Sequence, residues 1–336
     1  MTATREPLED YFRALSDVDP VRATSVVLDL LDEGTPVRDI ATQVLVPAQV
    51  RVGRMWEQGR WSVADEHAAT AVTETALHAL SAAQSGAVKR EGPHVLVACA
   101  EGEWHSLPAR LAATVASAGG ARVTVLGPSL PADHVLRRLA KGDIDVLALS
   151  CTMPTNLIGA ARCISVAHEV GVSVIAGGGA FGHSADRSDR LGADRWGADG
   201  TALLDPVPRL AGRSTKIPPE AVILDAVSEQ TMDLAYSQVV AALPRVAAMD
   251  PLQRAKGRDD LCWLSRFTAA AVLTGDATVI DDFLLWQMGV QDGWVPAAVA
   301  IASAYLVADI IQPEAPRGAQ MLREAAERMQ HSGVPV

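Results

Sequence analysis

The spacing of apolar residues divides the chain into three parts, and the first part has a helical pattern. Residues 9–84 carry Ala, Leu and Val at helical spacing with almost no strand pattern, which predicts helices. Gly34–Pro36 and Gly59-Arg60 interrupt this pattern, and such short turns favour an antiparallel bundle. Ser62 suits the N-cap of the last helix, with Asp65 at the capping-box position. The predicted helices are Leu8–Leu15, Pro20–Glu33, Val37–Gln58 and Ser62–Gln84.

The middle part alternates short apolar runs with helical patterns. Each run has the length of a buried strand, and a stretch with helical spacing follows it. This alternation predicts five βα units that form a doubly wound, Rossmann-like parallel sheet. Parallel sheets bind ligands at the edge where their strands end. The predicted strands are His94–Ala100, Arg122–Leu126, Asp145–Ser150, Val172–Ala176 and Asp194–Trp196.

The last part is wholly helical again. It follows Gly212–Pro219, a linker punctuated by two prolines. The whole pattern predicts three domains: a helical bundle over residues 1–85, the Rossmann-like sheet over residues 93–212, and an all-α domain over residues 220–332. The helical patterns of the third domain cover Val222–Ala248, Asp260–Thr274, Ala277–Met288, Pro296–Ile311 and Pro316–Met329.

Composition limits the class of protein. The chain has 336 residues, 49% of them hydrophobic, and a formal net charge of −11, which argues against nucleic acid as a direct partner. The N-terminus is polar without a signal peptide, and the longest apolar run, Val295–Ala308, is too short to span a membrane. We therefore expect a cytoplasmic protein without a membrane partner. Its cysteines lack C-x-x-C spacing and are expected to be reduced, buried thiols: Cys99, Cys151, Cys163 and Cys262.

Candidate chemistry gathers at the predicted strand ends. His105 follows the first strand, Ser150 and Thr152 end the third, and the run Gly177-Gly178-Gly179 ends the fourth. A lone loop histidine is usually unremarkable in function, and glycines are common in turns. The agreement of three strand ends favours a ligand site, because glycine lets a large group lie against the backbone.

These residues resemble, in order and approximate spacing, the cobalamin-binding domain family. The resemblance implies that His105 is the lower cobalt ligand and that the nucleotide tail of the corrinoid enters along the serine and glycine strand ends. The family has Asp two residues before the histidine and Gly three residues after it, where this chain has Glu103 and Pro108. The Glu103-Trp104-His105 version resembles the light-sensing branch. A carboxylate on the other ring nitrogen fixes the tautomer of a metal-bound histidine.

The bundle carries a second element, Trp56 followed after nine residues by Glu66-His67. It resembles the Trp-x9-Glu-His motif of cobalamin-dependent photoreceptors, which implies that the bundle caps the upper face of adenosylcobalamin. Some relatives have a histidine after the tryptophan that replaces the lost adenosyl group. This chain has Glu57 there, so such an exchange would need another residue, for which His67 is the candidate. The ordinary alternative is a core tryptophan and a solvated glutamate.

The third domain resembles the globin-like domain of phycobiliproteins. The resemblance implies that Asp260 contacts the pyrrole nitrogens of a bilin and that Arg258 or Arg266 binds a propionate. The position of the chromophore-attaching cysteine falls on Gly257, so a biliverdin-type bilin would be held non-covalently. Trp263, Trp286 and Trp294 offer aromatic walls, and Cys262 is expected to be buried. An empty helical sensor or a dimerisation module is the alternative.

Bundle, cobalamin domain and globin-like domain together resemble the photocobilins, photoreceptors that join a cobalamin to a bilin. This resemblance implies a light sensor rather than an enzyme, in which light breaks the Co–C bond of adenosylcobalamin and the bundle shifts. The signal would reach a downstream protein or change the oligomer, with a homodimer as one possibility. Two alternatives are a corrinoid shuttle protein of a methyltransferase system and a light-independent cobalamin-responsive regulator.

Overall fold

The computed structural model describes residues 5–84, 91–205, 207–208, 216–227, 229–242, 246, 251–289 and 296–331. Two compact units make up the chain. The first consists of Met1–Thr152 and Arg162–Arg213, and the second of Met153–Ala161 and Ser214–Val336. The predicted bundle and the predicted sheet therefore lie in one unit. None of the described helices is both long and apolar enough to cross a bilayer.

The bundle of the first unit follows the predicted pattern. The Ser62–Asp65 capping box is confirmed, because the Asp65 amide donates to Ser62 Oγ at 3.2 Å and the Ser62 amide donates to Asp65 Oδ2 at 2.8 Å. The predicted helix Val37–Gln58 contains a π-helical turn, Ala41–Leu45. Pro47 lacks an amide hydrogen and disfavours regular α-helical bonding in the turn before it. The helices are α1 (Arg5–Ser16), α2 (Pro20–Asp32), α3 (Val37–Ile40), α4 (Val46–Glu57) and α5 (Val63–Gln84).

The sheet has five parallel strands in the order β2-β1-β3-β4-β5. The predicted parallel sheet is confirmed, and its order reverses between β1 and β3. That reversal creates the crevice where sheets of this kind bind ligands. The strands are β1 (His94–Cys99), β2 (Arg122–Val125), β3 (Val146–Ser150), β4 (Ser173–Gly177) and β5 (Arg195–Gly197). The helices between them are α6 (Leu107–Ala118), α7 (Ala132–Leu139), α8 (Leu157–Glu169) and α9 (Asp186–Arg190).

Helix α6 connects the sheet to the bundle. Leu107, Leu111 and Val115 are spaced by four residues and therefore lie along one face of α6. They are buried in the same apolar cluster as the bundle residues Tyr11, Leu45 and others. The opposite side of α6 contributes Ala109, Ala113 and Ala116 to the core of the sheet. Bundle and sheet therefore share a helix.

The second unit is helical, as predicted, but one long predicted helix is divided. The pattern Val222–Ala248 predicts a single helix, whereas among the described residues the helix is interrupted at Ala226-Val227. Another helix begins at Pro251, nine residues before the predicted start, because Pro is well tolerated in a first helical turn. The helices are α10 (Pro219–Asp225), α11 (Glu229–Ala242), α12 (Pro251–Thr274), α13 (Thr278–Gly289), α14 (Ala297–Ile311) and α15 (Pro316–His331).

Candidate functional site

The ends of three central strands are aligned at one edge of the sheet. Cys99 of β1 pairs with Ser150 of β3, and Ser150 pairs with Gly177 of β4. The loop that follows β1 carries His105, and the residues that follow Ser150 and Gly177 carry the other predicted side chains. The structure therefore brings His105, Thr152 and the glycine run to the crevice between β1, β3 and β4.

Glu103 fixes the orientation of the His105 imidazole. The Glu103 side chain is fully buried, and its Oε1 lies 2.6 Å from His105 Nδ1. The same oxygen accepts the His105 backbone amide at 2.9 Å. A ring proton on Nδ1 suits this geometry, and it leaves Nε2 as the nitrogen with a free lone pair. These two hydrogen bonds to Glu103 thus fix both the backbone of the loop at His105 and the orientation of the imidazole ring.

The imidazole is open to a ligand on its other side. The His105 side chain is 57% exposed, and no hydrogen bond reaches its Nε2 from the residues that the structure describes. The hydrogen bond to Glu103 raises the pKa of the His105 imidazole, with partial burial acting in the opposite direction. Nε2 is the basic, accessible nitrogen that a metal ligand needs.

Thr152 completes the set of bonds to Glu103. Its backbone amide donates to Glu103 Oε2 at 2.7 Å, so the carboxylate joins the end of β3 to the histidine loop. The Thr152 hydroxyl oxygen is buried and has no hydrogen-bond partner within the described ranges. Such a group in a protein interior usually has a partner. An orphaned hydroxyl beside the predicted entry of a polar nucleotide tail fits that tail, and Ser150 lies buried two residues before it.

The glycine run is required by the packing of the backbone itself. Gly178 has φ +101°, and a Cβ there would lie 2.9 Å from the carbonyl carbon of Cys151. A Cβ on Gly177 would lie 2.5 Å from the Gly197 oxygen, and one on Gly179 would lie 3.3 Å from the Thr152 oxygen. The sequence alone suggests that these glycines allow a ligand to approach the backbone closely. In the structure, close approach of neighbouring strand ends already requires glycine at Gly177 and Gly178.

Trp104 lies between Glu103 and His105 and is 72% exposed. A buried position would be normal for so large an apolar ring. The structure therefore leaves the indole of the residue before His105 exposed, in the loop at this edge of the sheet.

The bundle motif lies on both sides of one interhelical turn. Half-buried Trp56 is in the last turn of α4, and Glu66 and His67 are in the first turns of α5. Glu66 accepts the Thr70 hydroxyl at 2.9 Å, and its charge is a minor contribution to the raised pKa of His105. His67 is mostly exposed. The structure thus brings Glu66 within electrostatic reach of the predicted cobalt ligand.

In the second unit, the predicted bilin residues do not form one cluster of free side chains. Asp260 is buried, with 9% of its surface exposed. Arg258 forms an ion pair with Asp233, and Arg266 Nε lies 3.4 Å from Asp225 Oδ1. Arg258 and Asp260 are two residues apart on α12 and so point to different sides of the helix. Either arginine would have to leave its present carboxylate to bind a propionate.

Aromatic rings form a row on α12 and α13. The ring centroids of Phe267 and Phe283 are 4.3 Å apart, and Trp263 and Trp286 flank them at 6.4 and 5.8 Å. Trp263 is partly exposed, whereas Trp294 lies outside the described residues. A Cβ on Gly257 would lie 3.2 Å from the Tyr236 ring, so the absence of a thiol there also suits the packing.

Two groups that shape the site are not evident from the sequence. The Thr152 amide binds Glu103, and Glu74 of α5 accepts the Ser106 hydroxyl at 3.2 Å. Ser106 occupies the N-cap position of α6, but its side chain makes no capping bond there. The spacing of the sequence reveals neither bond, because the bonded residues are 32 and 49 positions apart.

The thiols are predicted to differ in reactivity. Burial raises the pKa of both Cys99 and Cys163 to about 11, and it raises that of Cys151 well above its ordinary value. At pH 8, on the order of a thousandth of a thiol with such a pKa is ionised, and the thiolate is the reactive form. Cys262, expected to be buried, is half-buried instead.

We therefore expect a short iodoacetamide treatment of the native protein to modify Cys262 first, as measured by peptide mass spectrometry. A Cys262→Ser variant should remain unmodified until urea unfolds it. Modification of Cys99 or Cys163 ahead of Cys262 would contradict the burial described above.

Comparison with known proteins identifies two segments of the chain. Residues 7–81 and residues 93–204 each match a profile described as a B12 binding domain. A search of curated protein sequences finds no match.

Solved structures with a similar fold include the monomethylamine corrinoid protein of Methanosarcina barkeri. It has a TM-score of 0.53 and 21% identity over 60% of this chain and 97% of its own. The methanol:cobalamin methyltransferase complex of the same organism has a TM-score of 0.32 and 18% identity, covering 61% and 82%. A cobalamin-binding protein of Desulfitobacterium hafniense DCB-2 has a TM-score of 0.32 and 20% identity, covering 59% and 95%. At 21% identity, the first likeness shows the fold alone.

Proposed function

Because residues 7–81 and 93–204 are B12-binding domains, the chain is a cobalamin-binding protein, and we propose that it is a photoreceptor. The cofactor proposed is adenosylcobalamin, with His105 as the lower cobalt ligand. The observation that carries this assignment is the imidazole whose Nδ1 is held by buried Glu103 while Nε2 is accessible. Thr152 and the glycine run would accept the nucleotide tail at the crevice.

When bound, adenosylcobalamin supplies a cobalt–carbon bond that visible light breaks. The protein would hold the corrin through His105 on one face, and the bundle residues on the other face would move after illumination. Glu103 keeps the ring of His105 in one tautomer, so that Nε2 stays directed to the ligand. Trp56 and Glu66, at the α4–α5 turn, would line the upper side, and the loss of an adenosyl group would change what they pack against.

The shared core limits how the bundle can respond. Leu107, Leu111 and Val115 of α6 are each less than a tenth exposed within the bundle core. Burial of such side chains is worth about 1.5–3 kcal/mol each, so lifting the bundle off α6 would cost roughly 5–9 kcal/mol. The response proposed is therefore a shift near the α4–α5 turn that leaves the bundle on α6.

The second unit is proposed to bind a biliverdin-type bilin without a covalent bond, in a globin-like arrangement. Buried Asp260 would provide the carboxyl group that a protonated tetrapyrrole requires beneath its nitrogens. Trp263 would provide a wall, and Arg258 or Arg266 would exchange its present carboxylate partner for a propionate. The output proposed is a signal to a downstream protein, or a change in a homodimer, within the cytoplasm rather than catalysis.

The test of light sensing is illumination of the protein loaded with adenosylcobalamin in the dark. We expect green light to convert the alkylcobalamin spectrum and to change protease sensitivity near the α4–α5 turn. A matched sample loaded with aquocobalamin, which lacks the bond to carbon, should show no change in sensitivity. A loaded protein whose cleavage pattern is the same before and after photolysis would contradict the proposal.

A methyl carrier is the second candidate, since the chain shares its fold with 97% of the length of the monomethylamine corrinoid protein. The Trp56…Glu66-His67 element and the helices beyond residue 214 favour the photoreceptor. Transfer of a methyl group from methylcobalamin on this protein to a thiol acceptor, with no response to light, would instead support the carrier.

Bilin binding predicts a specific loss in an Asp260→Ala variant. Apoprotein incubated with biliverdin and passed through gel filtration should retain a red-absorbing band. We expect Asp260→Ala to remove or shift this band, because the bilin would lose the carboxylate beneath its nitrogens. Asp259→Ala, which alters the exposed neighbour on α12, should keep the band. A red-absorbing band of the same position and intensity in both variants would show that Asp260 does not contact the bilin.

A further inference from the structure

Ser106, the residue after His105, has an unusual role for a residue at the start of a helix. It occupies the N-cap position of α6, where a serine hydroxyl normally accepts a hydrogen bond from a backbone amide of the first turn. Ser106 makes no such bond. Its hydroxyl donates instead to Oε1 of Glu74 at 3.2 Å. The loop that carries the imidazole is thus bonded to the bundle helix α5.

Glu74 belongs to a row of polar contacts between α5 and α6. Arg110 Nε lies 4.0 Å from Glu74 Oε1, and Arg110 Nη1 lies 3.1 Å from His78 Nε2. Glu74 and His78 are four residues apart, as are Ser106 and Arg110, so each pair lies on one face of its helix. These contacts hold the two helices in a fixed register.

We propose that Glu74 is a positioning residue for His105. The path between them is short, since it consists of the Glu74 carboxylate, the Ser106 hydroxyl and one peptide link. Through it, the bundle sets where the imidazole stands at the sheet edge. The inference rests on the proposed function, because the role of Glu74 is to place the cobalt ligand.

The apolar contacts between the same helices do not fix this position. Leu107, Leu111 and Val115 attach α6 to the bundle, but apolar attraction has no preferred direction. A hydrogen bond weakens steeply when its distance and angle change. Glu103 holds the loop to the sheet, and the Ser106–Glu74 bond is the directional contact that resists a small displacement of the loop relative to α5.

Thermodynamic linkage couples the Ser106–Glu74 hydrogen bond to the binding of cobalamin. If Glu74 favours the loop position in which His105 binds cobalt, then bound cobalamin favours the bond to Glu74 to the same extent. A displacement of α5 near Glu74 would then lower the affinity of the lower ligand. Cofactor and bundle would influence each other from the lower side, separately from Trp56 and Glu66.

The apoprotein provides a test that needs no cofactor. Hydrogen exchange of the peptide spanning residues 102–110, read by mass spectrometry, reports on the loop. We expect Ser106→Ala and Glu74→Ala to speed this exchange about fivefold, the usual effect of one lost hydrogen bond. Ser106→Thr, which keeps the hydroxyl, should exchange as slowly as the wild-type protein. Ser81→Ala alters a similar α5–α6 contact, to Thr114 at 2.9 Å, and should leave the peptide unchanged.

The second readout is the binding of aquocobalamin. We expect Glu74→Ala and Ser106→Ala to raise its dissociation constant about fivefold and to weaken the histidine nitrogen splitting in the electron paramagnetic resonance spectrum of bound cob(II)alamin. Ser81→Ala should preserve both values. A splitting that changes with Glu74 distinguishes placement of the ligand from a general loss of stability.

The two proposals fail in different ways. A wild-type protein that takes up no aquocobalamin would overturn the proposed function. Wild-type exchange and wild-type affinity in both Glu74→Ala and Ser106→Ala would overturn the positioning role while cobalamin binding stood. Equal effects from Ser81→Ala would also overturn it, because the contact would then be ordinary helix packing.

Discussion

Replacing His105 with alanine should weaken the binding of aquocobalamin on the order of 100-fold or more, because the loss of an outer-shell partner alone typically costs a metal site 10- to 100-fold. The change removes the accessible imidazole, and the buried Glu103 carboxylate loses its contact with His105 Nδ1. The dissociation constant, measured by titration of the cobalamin absorption, tests the size of the effect. The histidine nitrogen splitting of bound cob(II)alamin should disappear.

The control for this change is His134→Ala, which removes an exposed histidine on α7 of the same unit. It should leave affinity and spectra unchanged. The far-ultraviolet circular dichroism of both variants shows whether the fold is kept. An unaltered dissociation constant together with an unaltered nitrogen splitting in His105→Ala would exclude this residue as the ligand.

The sheet could be predicted because its signal is local. Runs such as Val95–Ala98 are buried on both faces and therefore show their strand character in every residue. Once the strands are known, their parallel pairing aligns the ends of β1, β3 and β4. The placement of His105 and Thr152 near each other then follows from their positions just after β1 and β3, and the structure has both residues at one edge of the sheet.

The bonds that refine this site could not be predicted, because they depend on distant partners. A serine before a proline-containing helix start is an expected N-cap, yet the Ser106 hydroxyl bonds to Glu74, 32 residues earlier in the chain. Nothing in the spacing indicates that a bundle helix would lie beside this loop. The same holds for the Thr152 amide, which is 49 residues from Glu103.

The glycine run shows that one residue type can satisfy two different physical requirements. Its absent side chains suggested open space for a ligand, whereas Gly177 and Gly178 face neighbouring backbone. Both conditions select the same amino acid, so sequence cannot separate them. The structure shows the backbone contact directly. Substitution of Gly178 therefore tests whether this contact keeps the strand ends aligned.

The packing of α6 explains why the predicted bundle and the predicted sheet lie in one compact unit. The sequence pattern places the bundle in residues 1–85 and the sheet in residues 93–212. Leu107, Leu111 and Val115, which lie in the second of these ranges, are nevertheless buried in the bundle core. An amphipathic pattern shows that a helix has a buried face, but it does not show against what. Under the proposed function, a change at His105 would therefore reach the bundle through α6, the helix that packs against both the bundle and the sheet.

Replacing Gly178 with alanine should destabilise the first unit by about 2–5 kcal/mol, the sum expected for a forced positive φ and for overpacking. Gly178 has φ +101° and ψ 167°, a region that is open essentially to glycine alone. The added methyl group would also press on the backbone of Cys151, which cannot move without shifting Thr152. The Thr152 amide would then leave Glu103, so cobalamin affinity should fall together with stability.

Gly34→Ala separates the two causes. Gly34 also has a positive φ, +87°, but a Cβ there meets nothing within 4 Å, so only the conformational cost of about 1–2 kcal/mol applies. Urea unfolding should show the larger loss in Gly178→Ala, and aquocobalamin titration should show weaker binding in that variant alone. Equal losses of stability would mean that the strand end yields to a methyl group. In that event the close backbone contact between Gly178 and Cys151 would not be what aligns Thr152 with Glu103 and His105.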